Sequence, residues 1–171
     1  MPGPAVQQHM LGKWSLKVKY EPSGEMPHGG TGEATEVWWP GPGGYSVIEE
    51  YYQNDAKGWT ELFIPAWWDE QAGGQRFVGC GNTVPAGCEI SKSVAKWEGN
   101  RNVYTEDHEE NGKKVTDGEV FEDISPTSFT QRLQKGEPGA ELKTVVTLQA
   151  TKVSSTPKLR DSGAEYPVTS K

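Results

Sequence analysis

The chain has 171 residues, a one-domain length, with 33% hydrophobic residues and a formal net charge of -7. Its acidic residues are spread along the chain, and no Lys/Arg cluster is present to neutralise phosphates. Nucleic acid and anionic membrane surfaces are therefore disfavoured as partners. No apolar run approaches the roughly 20 residues that span a bilayer, so no membrane span is expected.

Seven Trp, six Tyr and four Phe argue for a folded core, because disordered chains are poor in aromatics. The 21 Gly and 12 Pro signal frequent chain reversals, which favour short strands over helices. Met1-Pro2-Gly3-Pro4 has neither a basic n-region nor an apolar h-region. Residues 1–10 read as a lead-in, and the chain as either cytoplasmic or a mature form whose signal has been removed.

From Gly12 the pattern is regular. Trp14, Leu16, Val18 and Tyr20 alternate with Lys13, Ser15, Lys17 and Lys19, the period of a half-buried strand. A loop over residues 21–30 leads to a strand from Thr31 to Trp39. Pro40-Gly41-Pro42-Gly43-Gly44 must turn, and Tyr45 to Gln53 follows. After a turn at Asn54-Asp55-Ala56-Lys57-Gly58 comes a long apolar strand, Trp59 to Trp68. Pro65 within it predicts an edge, a bulge or a bend. Strands are next expected at Gln75 to Cys80, Glu89 to Ala95 with Trp97 beyond, and Asn102 to Glu109. Asn111-Gly112 is a hairpin signal. Lys114 to Asp123, Ser128 to Gln134 and Leu142 to Thr151 complete the series. The expected domain spans residues 11–153, and 154–171 read as a flexible polar tail.

Strands at roughly 8–12 residue spacing, joined by short turns, predict an all-β fold. An antiparallel up-and-down β-barrel of about 8–10 strands is favoured, because closure removes edge strands; a β-sandwich is the alternative.

The order of motifs is also distinctive. Leu11-Gly12-Lys13-Trp14 precedes Gly30-Thr31-Gly32-Glu33, a Pro-Gly-Pro-Gly-Gly turn and Ile48-Glu49-Glu50-Tyr51. Trp67-Trp68-Asp69 follows, then Phe121-Glu122-Asp123-Ile124-Ser125-Pro126-Thr127-Ser128-Phe129-Thr130. Over residues 10 to 152 this resembles the bacterial domain-of-unknown-function family numbered fifteen seventy-nine, whose members look like lipocalin-type (calycin) barrels. The resemblance implies the fold and no particular reaction. Members often carry export signals, so it implies a periplasmic or secreted mature form. The haem-binding nitrobindins share only the Gly-x-Trp opening. Their axial-histidine segment has no counterpart here, and no cofactor is expected.

Cys80 and Cys88 flank Gly-Asn-Thr-Val-Pro-Ala-Gly; they are either a hairpin disulfide or two half-buried thiols. Two cysteines with no nearby histidine cannot complete a zinc site, so no metal is expected. His108, among Glu106, Asp107, Glu109 and Glu110, is either a ligand or base flanked by carboxylates, or a solvated strand end. Glu49 shares a face with Val47 and Tyr51, and Glu61 with Trp59 and Phe63. Turned inward, these carboxyls would be acid/base candidates. Alternation permits the opposite, with Ile48 and Tyr52, or Leu62 and Ile64, facing in.

Trp14 is expected to plug the closed end. Trp38, Tyr51, Trp59, Phe63, Trp67, Trp97 and Tyr104 are expected to wall a cavity, with Arg76 and Arg132 orienting a ligand or else lying on the surface. In Trp38-Trp39 and Trp67-Trp68, alternation sends one ring in and one out. No nucleophile elbow, P-loop, His-Glu-x-x-His or dinucleotide fingerprint is present. The expected function is binding of a small apolar or aromatic molecule. The alternatives are an enzyme using Glu49 or Glu61 with Arg132, Arg76 or Tyr104, and a homodimer joined through its outward Trp residues.

Overall fold

Alternation of apolar and polar residues from Gly12 onward produces a strand with one dry face. In β1 (Gly12–Tyr20) Trp14, Leu16 and Val18 are buried, while Lys17 and Ser15 face solvent. The computed structural model describes residues 7–23, 27–41, 45–55 and 58–155. The expected polar tail from residue 156 onward and the first six residues of the lead-in lie outside these, as do parts of three expected turns.

The remaining strands are β2 (Gly30–Pro40), β3 (Ser46–Asp55), β4 (Gly58–Asp69), β5 (Gly74–Gly81), β6 (Cys88–Ile90), β7 (Lys96–Glu98), β8 (Arg101–Glu110), β9 (Lys113–Glu122), β10 (Ser128–Gly136) and β11 (Lys143–Ser154). One four-residue helix, α1 (Gln7–Met10), precedes them. All eleven strands form one curled, antiparallel, barrel-like sheet, ordered β6-β5-β4-β3-β2-β1-β11-β10-β9-β8-β7. Every neighbour is a sequence neighbour except the pair β1 and β11, which join the two ends of the chain.

The count exceeds the expected ten because the single strand read at Glu89 to Ala95 is divided. Past Ile90 the chain leaves the β5–β6 ladder and straps the two edges of the sheet together. Gln75 and Ala95 exchange two backbone hydrogen bonds of 2.8 Å, and the Ser91 amide donates to the Phe77 carbonyl at 2.9 Å. On the other side the Lys92 amide donates to Glu106 Oε2 at 2.9 Å, and the Ser93 hydroxyl donates to the Thr105 carbonyl. These bonds satisfy edge groups that would otherwise be unpaired.

Turn chemistry matches the local sequence. Asn111 and Gly112 both have positive φ, 51° and 76°, as a two-residue hairpin between β8 and β9 requires. Pro65 lies in a strand paired on both sides, not at an edge. The β4–β5 pairing skips it, running from Phe63–Cys80 directly to Ala66–Phe77. Its missing N–H thus falls where the ladder is interrupted.

The closed end is packed with Met10, Trp14, Val47, Phe121, Ile124 and Phe129. Trp14 has no exposed surface; its indole N–H donates to the Met10 carbonyl at 2.7 Å, and its ring meets Phe129 edge-on at 4.7 Å. Lys152 sits over the same ring at 4.5 Å and donates to the carbonyls of His9 and Leu11. The end of the lead-in is therefore a lid over the Trp14 end of the sheet. Gly12 makes this closure possible: its φ is +138°, and a Cβ there would stand 2.4 Å from the Ser154 carbonyl oxygen.

Candidate functional site

Inward direction follows from Trp14 by cross-strand pairing. Trp14 lies opposite Glu36, Glu36 opposite Tyr51, Trp38 opposite Glu49, and Glu49 opposite Ile64. From the other side, Phe129 lies opposite Ala150, Gln131 opposite Phe121, and Glu119 opposite both Leu133 and Tyr104. Directly opposed residues share a face. The interior therefore receives Glu36, Glu49 and Glu119 above the apolar floor.

Glu36 has no exposed surface, and it accepts the indole N–H of Trp38 through Oε1. The Glu49 carboxyl stands against it, close enough to share a proton. Burial raises the Glu36 pKa from 4.5 to about 8, although the bonds from Trp38 and Glu49 oppose the rise. Glu49 is pushed well above its ordinary value, first by burial and then by the charges of Glu36 and Glu119. Burial also raises Glu119, eased by a 2.6 Å hydrogen bond from Gln131 Nε2. Two oxygens in this layer are buried without a hydrogen-bond partner, Glu36 Oε2 and Gln131 Oε1.

A cavity of about 50 Å³ adjoins the layer, lined by Glu49, Glu119, Trp38, Gln75, Phe77 and Asn102 among others. Gln75 Oε1 accepts from both Trp97 Nε1 at 3.1 Å and Asn102 Nδ2 at 3.2 Å, drawing the sheet's two edges together. Toward the opposite end lies a cleft of about 300 Å³, bordered by the Cys80–Cys88 hairpin, Ile90, Tyr104, Glu106, His108 and Asp117. Phe77 lines both voids, and its ring meets Tyr104 edge-on at 4.8 Å. One aromatic pair thus divides the mouth from the interior.

The mouth is acidic. Tyr104 donates its hydroxyl to Glu106; burial, then that bond, raises the phenol pKa. Burial pushes Glu106 up, but the bonds from Tyr104 and the Lys92 amide outweigh it and hold the carboxyl below its ordinary value. His108 Nδ1 lies 3.6 Å from Asp117 Oδ2. A wider groove of about 890 Å³ at the loop end of β9–β11 is walled by Lys113, Lys114 and Lys143 with Glu137 and Glu141, all exposed. None of its lining residues is buried.

Several expected wall residues face outward instead. Thr60, Leu62, Ile64, Ala66 and Trp68 take the inner face of β4, which leaves Trp59, Glu61, Phe63 and Trp67 outside. Trp59 is 44% exposed and Phe63 38%. Glu61 is therefore no interior acid. Arg76 is on the outer face, bonded to Asp69 Oδ2 at 2.7 Å, and Arg132 to Glu122 Oε1 at 2.5 Å. The Arg76 bond, with the Ala72 and Gln71 amides, holds Asp69 below its ordinary pKa and braces the β4–β5 turn. Trp38, Tyr51, Trp97 and Tyr104 face inward; Trp38 lines the inner cavity and Tyr104 the outer cleft, while Trp97 closes the seam and neither it nor Tyr51 lines either void. Tyr51 donates to Gln53 Oε1 at 2.5 Å, and Gln53 Nε2 donates to Tyr20 at 2.6 Å. Cys80 and Cys88 lie opposite each other and form a disulfide. His9 and His28 are exposed. Among the described residues no group of three His, Cys, Asp or Glu is placed to hold a metal, and no helix is long and apolar enough to cross a membrane.

No protein-family model matches the chain, and a search of curated proteins finds no match. Function is therefore argued from the site. Glu36, Glu119, Gln131 and Phe77 were not singled out from the sequence. The signal was present for two of them: Glu36 alternates with Trp38, and Glu119 with Phe121, so each shares the face of a large ring.

Proposed function

We propose that the barrel is a binding module for one small, mainly apolar or aromatic molecule, admitted beside the Cys80–Cys88 hairpin. Two voids separated by a single aromatic pair, Phe77 and Tyr104, carry this proposal. The outer cleft, about 300 Å³, is at the small end of the range for ligand pockets. Its wall combines Phe77, Val84, Pro85, Ile90 and Tyr104 with a few polar groups, the usual division between burial and orientation. The motif order resembling a lipocalin-like family supports the same use of the fold. Titration with a neutral, environment-sensitive aromatic dye tests it. Saturable binding, weakened by Tyr104→Ala, is expected; no saturable binding by any member of a neutral aromatic panel would overturn it.

A second reading, acid–base catalysis, is favoured by the Glu36–Glu49 pair, whose Glu36 member is raised to about 8, into the range of a working base. Glu61, Arg76 and Arg132 are outside the barrel, so the pair would act with Tyr104 alone. Turnover of a substrate from a broad panel that vanishes in Glu36→Gln would favour it over simple binding.

A further inference from the structure

The charged side chains that line the inner cavity, Glu49 and Glu119, are of one sign. The described inward positions of the strands hold Glu36, Glu49 and Glu119 in mid-barrel and Glu106 and Asp117 at the mouth. Among the described residues the basic side chains at inward positions lie toward the two ends: Lys113, Lys135 and Lys143 at the mouth, with Lys135 bonded to Glu110 at 2.6 Å, and Lys152 at the floor, bonded to the carbonyls of His9 and Leu11; Lys92, on the strap, pairs with Glu106 at 3.4 Å. His108 faces Asp117. A site built for an anionic head would present arginine or lysine here; among the described residues neither lines the inner cavity.

An unpartnered atom beside Glu119 has the same polarity. Gln131 is 6% exposed, and with Nε2 bound to Glu119 its Oε1 is left as a buried acceptor without a donor. Of the two carboxyls lining the inner cavity, Glu119 is thus bonded to a side chain with an acceptor oxygen to spare. Buried acceptors without partners are uncommon and point to a missing donor. The cavity itself, about 50 Å³, exceeds the roughly 10–15 Å³ that one water needs and suits a head group of a few heavy atoms.

We propose that the ligand is a small organic amine, bound as its ammonium form. Its charged nitrogen lies between Glu49 and Glu119, and its apolar body crosses the Phe77–Tyr104 partition into the mouth. This deepens the binding reading and rests on it. An ammonium group brings up to three N–H donors and no acceptor, which matches a layer holding carboxyls and a spare amide oxygen. Charge balance has a consequence. Desolvation raises Glu49 and Glu119 above the ordinary carboxyl value, so a cation seated between them favours the ionised form and draws off a proton that either holds. The carboxyl O–H breaks, its electron pair stays on the oxygen, and up to one proton leaves to solvent for each amine bound.

Calorimetric titration of the full chain at pH 7.5 tests this with three matched probes: 2-phenylethylamine, 2-phenylethanol and 3-phenylpropionate. The amine is expected to bind about tenfold or more tightly than either of the others. Its binding heat should vary between buffers of different ionisation heat, by the release of up to about one proton. Glu119→Gln and Glu49→Gln should each weaken the amine about tenfold. Equal or tighter binding of the alcohol or the carboxylate overturns the amine assignment, as does amine binding with no proton release. If the neutral aromatic dye binds and the amine shows no preference, only this inference fails. If no probe binds at all, the binding reading fails with it.

Discussion

Replacing Glu36 by glutamine removes a buried proton that ties the barrel's stability to pH. In the folded protein Glu36 keeps its proton up to about pH 8, whereas its ordinary value is 4.5. Between those limits the folded state binds more protons than the unfolded chain, so stability must fall as pH rises through the window. At about 1.4 kcal/mol for each pH unit, the loss from this one group approaches about 5 kcal/mol by pH 8. Glu36 has no exposed surface, so solvent screening gives little relief. Glu49 and Glu119 are shifted in the same direction and deepen the fall. The carboxyls held low, Asp69, Glu106 and Glu110, act in the opposite sense, but only where they protonate, below their ordinary values. For a domain of this size each kcal/mol moves Tm by about 2–4 °C, so wild-type Tm should drop by roughly 10 °C or more between pH 5.5 and 8.5. Thermal unfolding followed by far-ultraviolet circular dichroism measures it. Glu36→Gln should flatten the profile and exceed the wild type at pH 8.5, with little difference or a small loss at pH 5.5. A wild-type Tm unchanged across that range, or a Glu36→Gln profile as steep as the wild type, would refute the account of the interior.

Three further perturbations probe how the site is held. Trp14→Ala should cost about 3–5 kcal/mol in urea unfolding, because it empties the floor of the barrel and orphans the Met10 carbonyl. Gln75→Leu should cost about 2–4 kcal/mol, since it leaves the Trp97 and Asn102 N–H groups without their acceptor; amide exchange should accelerate at Ala95 and Ser91, where the strap meets β5. The double change Cys80→Ser, Cys88→Ser opens a loop of sequence separation 8 and should cost about 2–3 kcal/mol by chain entropy, read from the urea midpoint. An unchanged midpoint in any of the three would count against the role assigned to that residue.

The strands were legible in the sequence because side chains alternate across a strand, and a period of two can be read one residue at a time. Trp14, Leu16 and Val18 against Lys13, Ser15 and Lys17 show it, as do the Asn111-Gly112 hairpin and the meander that makes a barrel economical. Which face turns inward was legible only where the two faces differ. In β4 they do not: Trp59, Phe63 and Trp67 are as apolar as Leu62, Ile64 and Trp68. Composition alone therefore left Glu61, Phe63 and Trp67 as candidates for a wall they do not form. Tertiary structure decided it through register, carried strand by strand from Trp14 to Glu36, Glu49 and Ile64, because a slip of one residue would exchange every face. The same register brings Glu119 from a distant strand into the layer of Glu36 and Glu49, a convergence that no local spacing encodes. The sequence by itself determined that these residues would be strands in one all-β domain rich in interior rings. Only the closing of the sheet determined that three carboxyls and an amide oxygen would meet inside it, since burial and its effect on a proton exist only once the wall is complete.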